Sequence, residues 1–209
     1  INVTLTESVG FQATTSNDNR VSVTNFEFPS DAFTLEFYTN TVNLDQTSPY
    51  LMNCSVYGSG NNNRILIYRG SSETSLRVNL WNSSGSRDQE VFSNVNFQLD
   101  TWIHYVFVCD MDNAGTTTIY LYENGVFCDS NTFVAGYWSR AVQDRELGIP
   151  SNKASYSSTP NINIKRFQVI DGLLDATEVA ALYNETTGGS PTIGRSRTLL
   201  LDHTANYNN

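Results

Sequence analysis

Apolar and polar residues alternate most regularly at Phe33, Leu35 and Phe37 against Thr34, Glu36 and Tyr38, the period of two of a strand with one face on a core. Tyr50 to Val56, Arg64 to Arg69 and Leu76 to Leu80 follow as strand-sized runs separated by Gly/Ser/Asn-rich connections, and they predict a meander. Val91 to Phe97 is expected as a further strand. Ile103 to Cys109 is then rich in β-branched and aromatic residues, Asp110 to Gly115 has turn composition, and Thr117 to Tyr122 alternates again. Asn124-Gly125 supplies the two positive-φ positions of a type I′ hairpin turn, so Trp102 to Phe127 and beyond reads as three consecutive antiparallel strands.

Towards the start, Ile1 to Val9 predicts a first strand. Val21 and Val23 keep one phase and Phe26 and Phe28 the other, which predicts a bulge or bend near Asn25. Towards the end, Glu146 to Ile149 predicts a short strand, 150–160 a long loop, Ile162 to Ile170 a strand, and Thr198 to Leu201 an edge strand. The single helix expected spans Asp175 to Tyr183: Asp175 is placed as N-cap, Glu178 completes a capping box, and Leu174 can staple to Val179. Short strands with one late helix predict an all-β fold of two packed antiparallel sheets, formed as one domain over 1–209 with 192–209 as edge strand and tail.

With 39% apolar residues and 12% aromatics the chain can fill such a core, while only 16% charged residues leave Asn, Ser and Thr to cover the surface, a composition that fits extracellular β-proteins. A formal net charge of −9 with scattered basic residues excludes a phosphate backbone as partner. No run is long and apolar enough to insert in a membrane. A chain beginning at Ile1 is expected to be a processed product or a piece of a longer protein. Cys54, Cys109 and Cys128 allow at most one internal disulfide. A two-residue turn at Asn124-Gly125 puts Cys128 opposite Leu121, and a loop over 110–116 puts Cys109 opposite Thr117. The two would then lie about 13 Å apart along the strands alone, beyond the ~7 Å reach of a disulfide, so no bond between them is expected. Cys54 stays open as a partner for either.

The stretch WIHYVFVCDMDNAGTTTIYLYENG, with Trp102 and His104 before an acidic turn, resembles the hairpin of laminin-G-like and pentraxin-like modules of the concanavalin A-like lectin/glucanase superfamily. FTLEFY resembles an early core strand of that group, and a strand followed by LDATEVAALY is similar to its ending. The resemblance spans Phe33 to Asn184. It implies a jelly-roll β-sandwich with one short C-terminal helix, a structural role for His104, and in many relatives a calcium ion at the rim of the sandwich.

Glucanases of this fold work with two carboxylates on one strand. No E-x-D-x-x-E run occurs: Glu36 stands alone, Asp88 and Glu90 fall in a polar loop, Asp144 and Glu146 are the other close pair, and each reads as a solvated charge. A G-x-S-x-G elbow is missing and His203 lies in the tail, so no catalytic residue is assigned. Asp110, Asp112 and Asn113 before Gly115 resemble the start of a calcium loop but lack a third acidic ligand and a distal Glu; a hairpin turn bonding its own backbone explains them better. Calcium is thus the one cofactor considered. Trp81 and Trp138, with Tyr137 and Tyr156, fall in or beside loops as platforms for sugar rings, and Tyr57 is a further aromatic of this kind. Asn2, Asn53, Asn82 and Asn184 satisfy the N-glycan acceptor pattern, Asn82 best, if the protein follows a eukaryotic secretory route. The function expected is a non-catalytic recognition or adhesion module binding glycan or protein through loops, within a larger surface or secreted protein or particle. A polysaccharide-active hydrolase or lyase and a structural shell or spacer domain are the rivals.

Overall fold

A computed structural model describes residues 11–12, 21–24, 26–41, 50–56, 63–70, 75–93, 95, 98–111, 116–133, 145–149, 162–186 and 197–201. In chain order these form β1 (Phe11–Gln12), β2 (Val21–Thr24), β3 (Ala32–Thr41), β4 (Tyr50–Val56), β5 (Ile65–Arg69), β6 (Leu76–Trp81) and β7 (Arg87–Phe92). Then follow β8 (Trp102–Asp110), β9 (Thr117–Glu123), β10 (Val126–Phe133), β11 (Arg145–Ile149), β12 (Ile162–Asp171), α1 (Ala176–Thr186) and β13 (Arg197–Leu201). A seven-stranded sheet runs β1-β2-β11-β4-β5-β6-β7 and a six-stranded sheet β10-β9-β8-β3-β12-β13, with every neighbouring pair for which a register is given antiparallel. This is the expected concanavalin A-like jelly-roll sandwich with one short helix. Edges β7 and β10 meet where Ser93 N donates to Asp129 Oδ2 (2.9 Å) and Asn131 Nδ2 donates to the Val91 carbonyl (3.0 Å).

The period-two pattern builds the core. Phe33, Leu35 and Phe37 of β3, with Ile103, Tyr105 and Phe107 of β8, face Ile65, Ile67, Leu76, Val78 and Leu80 of the other sheet. Phe37 stacks on Phe107 and Phe167 with centroids 5.9 and 5.4 Å away, and each such buried ring contributes roughly 2 kcal/mol or more by area removed from water. Strand β3 departs from simple alternation, because residues 33–41 are buried on both faces. Helix α1 covers its outer side: Val179 and Leu182 pack with Leu174, Ile170, Val106, Val108 and Tyr122. Glu36 is therefore no solvated charge.

The helix cap is as expected. The Asp175 backbone N–H donates to Glu178 Oε2 (3.0 Å) and the Glu178 N–H to Asp175 Oδ1 (2.8 Å), while Leu174 and Val179 share the cluster beneath. The Asn124-Gly125 turn has φ of 51° and 80° and pairs Glu123 with Val126. Gly125 is required twice over, since a Cβ there would lie 3.0 Å from Tyr183 Cβ on α1.

Three expectations are corrected. A bulge between Phe127 and Asp129 puts Asp129, not Cys128, opposite Leu121, and Cys109 pairs with Ile119 rather than Thr117, because the β8–β9 ladder runs on to Asp110 and Thr118. Cys109 and Cys128 are nevertheless not bonded to each other. Strand β7 begins at Arg87, earlier than Val91, because a turn with Gly85 at φ 81° brings Arg87 opposite Trp81. Asp88 and Glu90 consequently sit on an edge strand, where charge discourages pairing with another chain. The Ile1–Val9 strand and the bend at Asn25 lie outside the described residues.

Asp175→Ala is expected to lower the urea midpoint by the equivalent of about 1 kcal/mol, a typical N-cap loss, with no change in the slope of the transition. Burial pushes the Cys109 thiol far above its ordinary range, whereas Cys128 is only half-buried and more modestly raised, first by burial and then by Glu123 and Asp129. Iodoacetamide mapped on the native protein should therefore label Cys128 well before Cys109.

Candidate functional site

Each sheet has an outer face, and the two are furnished differently. On the six-stranded sheet, the Glu36 carboxylate is fully buried and ringed by partners: His104 Nε2 lies 3.0 Å from Oε1, Gln168 Nε2 donates to Oε2, and Arg166 Nε stands 3.4 Å from Oε2. Arg166, at φ 50° in the β12 bulge, also pairs with Glu185 of α1 at 2.8 Å. Tyr38 and Tyr183 sandwich the His104 ring, with centroids at 4.6 and 5.5 Å. His104 is thus structural, as the resemblance implies, holding a carboxylate in place. The helix closes this face.

On the seven-stranded sheet the outer face mixes polar residues with a buried cluster of Leu66, Tyr68 and Trp81. Residues opposite one another in an antiparallel ladder share a face, so the row Asn53, Leu66, Asn79, Gln89 crosses β4, β5, β6 and β7 on the side away from the core. Beside it lie Tyr68 opposite Arg77, and Trp81 opposite Arg87. Arg64 donates from Nε to Asn53 Oδ1 (2.6 Å), and its guanidinium sits 4.8 Å over the Trp81 ring. The Tyr68 hydroxyl donates to Gln89 Oε1 at 3.2 Å. Two buried polar atoms on this face have no hydrogen-bond partner in the protein: Asn79 Oδ1, on a side chain only 3% exposed, and Arg77 Nε. Such orphans are rare and each costs about 1–3 kcal/mol. The Arg77 side chain lies against Gly70, where a Cβ would come within 3.1 Å of Nε and collide with Ser75 Oγ.

Among the residues whose side chains are described, this face carries no Asp or Glu. Asp88 and Glu90 stand opposite Leu80 and Val78, whose side chains enter the core, and so belong to the other side of the sheet. Glu90 is raised by partial burial and secondarily by Asp88. Most of these side chains are buried, and among the described residues the face offers solvent Arg87 and, in part, Arg77 and Gln89 at its β7 margin, guanidinium and amide groups that suit a hydroxyl-rich ligand, without the carboxylate pair of a glycosidase.

The family profile described as concanavalin A-like lectin/glucanases superfamily matches residues 15–180. The chain belongs to the concanavalin A-like lectin/glucanase superfamily. No curated protein matches the sequence significantly. Among solved structures, the heptameric SAP-like pentraxin of Limulus polyphemus is similar at TM-score 0.59 and 15% identity, over 93% of this chain and 91% of that one. The botulinum neurotoxin serotype G binding domain is similar at TM-score 0.56 and 17% identity, over 83% of this chain and 42% of that one. The CBM40 of Ruminococcus gnavus IT-sialidase, bound to α2,3-sialyllactose, is similar at TM-score 0.54 and 14% identity, over 73% and 82%. At these identities the likeness is one of fold.

Within this superfamily member, Trp81 is the one predicted platform that is described, and it is corrected: it is 6% exposed and Arg64 occupies a ring face, so it supports the site rather than displaying an open surface. Trp138, Tyr137, Tyr156 and Tyr57 lie outside the described residues. Asp110 is half-buried at the end of β8 on the other sheet, opposite Ala32 and Thr118; Asp112 and Asn113 lie outside the described residues. Among the described residues no group of three His, Cys, Asp or Glu could hold a metal, so Asp110 has no described ligand set around it to fit calcium. Asn53 is corrected as a glycan acceptor, being 6% exposed with its side chain bonded to Arg64. Asn82 holds the β6–β7 turn, its Oδ1 accepting from Ser84 N, Ser84 Oγ and Ser86 N at 2.8–3.0 Å, while Asn184 is exposed on α1 and Asn2 lies outside the described residues. Sequence reasoning missed Arg64, Arg77, Asn79 and Gln89, whose signal was their occupation of the non-core phase of β5, β6 and β7.

Asn53→Ala removes the acceptor from a buried guanidinium nitrogen. It is expected to destabilise the fold by about 1–3 kcal/mol in urea denaturation, whereas Asn82→Ala, in an exposed turn, should cost less.

Proposed function

We propose that this protein is a non-catalytic glycan-recognition module that seats saccharide at the β7 margin of the seven-stranded sheet, as part of a larger surface or secreted protein or particle. One observation carries the reading: on that margin Arg87 is exposed and Arg77 and Gln89 are partly exposed, while α1 closes the middle of the other sheet's outer face. A sugar offers hydroxyls that both donate and accept, the complement of a guanidinium beside an amide. Solved structures of similar fold lend support, since one carries α2,3-sialyllactose and another is from botulinum neurotoxin type C, whose cell entry depends on interaction with two ganglioside molecules. A similar toxin domain in complex with rat synaptotagmin II keeps protein ligands within the same class of function.

The rivals need features the described face does not supply. Glycoside hydrolysis takes two carboxylates about 5–9.5 Å apart across a sugar, and a shell or spacer domain needs no exposed guanidinium set beside amide groups on a sheet margin. Arginine on the face repels a divalent cation, so recognition there is read as calcium-independent, and any calcium at the Asp110 turn as separate from it.

A printed glycan array probed with the purified protein, in calcium and in EGTA, tests this. Retention of a subset of glycans in both buffers, lost in Arg87→Ala at unchanged thermal midpoint, is the expected result. No retention by the wild type, or retention unaltered in Arg87→Ala, would overturn it, and turnover of the retained glycan would promote the hydrolase or lyase instead.

A further inference from the structure

We infer that the protein carries a further docking surface, an aromatic patch on the β9–β10 hairpin that takes a basic peptide segment of a protein partner. The cover that α1 gives the six-stranded sheet reaches Tyr122. Beyond it, Phe127 pairs across the ladder with Tyr122 and Ser130 with Tyr120, so Tyr120, Tyr122 and Phe127 share the outer face. Phe127 is 53% exposed, Tyr120 37% and, at the turn, Val126 69%, so three large apolar side chains meet water within one hairpin. They are held in place: the Phe127 ring stands edge-on to Tyr122 with centroids 5.6 Å apart, and the turn is seated by Gly125 against Tyr183. Single exposed apolar residues are ordinary, whereas a contiguous and positioned group marks a contact.

Charge decides what the contact is with. Residues 102–133, which span β8, β9 and β10, contain no Lys or Arg, and neither do residues 171–186, which run from the end of β12 through α1. Acidic groups flank the patch on two sides. Burial raises the Tyr122 hydroxyl and Asp175 raises it further from the helix side, while burial and then Glu123 and Asp129 raise the Cys128 thiol, next to Phe127. Arg166, the arginine of this sheet whose side chain is described, stands four strands from β10, about 19 Å at strand spacing, and is engaged by Glu36 and Glu185. Aromatic rings among carboxylates suit a cation, because an ammonium or guanidinium drawn by the acids lies favourably over a ring face. A second copy of this chain would bring the same acidic rim, and the net charge of −9 opposes that pairing. A neutral sugar stacked on Phe127 leaves the rim uncompensated. A polypeptide segment with Lys or Arg beside an apolar residue answers both features. The patch lies on the opposite outer face from the β7 margin, so it does not depend on glycan recognition there.

An array of short synthetic peptides varying in net charge and aromatic content, probed with the whole protein, tests this, followed by calorimetric titration of the best-retained peptide. Basic peptides should be retained over neutral and acidic ones, with binding that weakens as NaCl rises from about 50 to about 500 mM. Phe127→Ser, at an exposed position, should weaken the titrated peptide at least about 10-fold at unchanged thermal midpoint, as loss of an aromatic anchor does. Tyr120→Ser gives the same reading if Phe127→Ser shifts the midpoint, Glu123→Gln should flatten the salt dependence, and Arg87→Ala should change neither. No retention, retention that ignores peptide charge, or binding unaltered in both aromatic variants would overturn the inference. So would a dimer in sedimentation that Phe127→Ser abolishes, which gives the patch to a second copy, or glycan retention lost in Phe127→Ser, which gives it to a sugar.

Discussion

A carboxylate taken out of water in the middle of a sheet is the constraint on which the six-stranded half of this sandwich depends. Glu36 has no exposure, and an ionised carboxylate in such a place is costly unless every oxygen is answered. The answer recruits three elements besides its own strand: His104 from β8, Gln168 and Arg166 from β12, and, through Arg166, Glu185 of α1. Removing one partner leaves charge stranded, so the network ties the helix end, the β12 bulge and the β3–β8 register into a single arrangement. The Asn124-Gly125 turn joins it through Tyr183, which meets Gly125 on one side and His104 on the other.

That closure decides where function can sit. α1 lies over the six-stranded sheet, sealed by Val179, Leu182 and Tyr122. The outer side of the other sheet is also buried over β5 and β6, where Leu66, Tyr68 and Trp81 form a cluster, Arg64 is held by Asn53 and by the Trp81 ring, and Tyr68 by Gln89. Among its described residues, exposure returns toward β7, at Arg87 and in part at Arg77 and Gln89. Rigid support beside exposed polar groups is what recognition of a polar ligand requires, because the ordering cost is met on folding rather than on binding.

Much of the fold was legible because it is local. The β3 alternation, the Asn-Gly turn and the Asp175–Glu178 capping box each specify their own structure within a few residues, and all three are present. What failed was what depends on partners. The β9–β10 register slipped at Cys128 because a bulge adds a residue that no periodicity announces. Glu36 looked solvated because nothing in FTLEFY tells that a helix some 140 residues later covers it. Trp81 looked like a platform because its neighbour in space, Arg64, lies across a strand pairing rather than beside it in sequence. The site shares that fate: Arg77 and Arg87 occupy the polar phase of their strands, which reads the same whether the face meets water or a ligand.

The two faces differ less in how their polar groups are answered than in what reaches solvent. Glu36 is met by an imidazole, an amide and a guanidinium, yet His104 Nδ1 in that same network has no partner in the protein, and neither do Arg77 Nε and Asn79 Oδ1 on the other sheet. Each such atom costs about 1–3 kcal/mol and marks a compromise of packing on either face rather than a place for a ligand. What separates the faces is cover: α1 seals the middle of one, while on the other the described strand β7 leaves Arg87 in solvent beside Arg77 and Gln89, and only groups that solvent touches can be answered by a partner from outside.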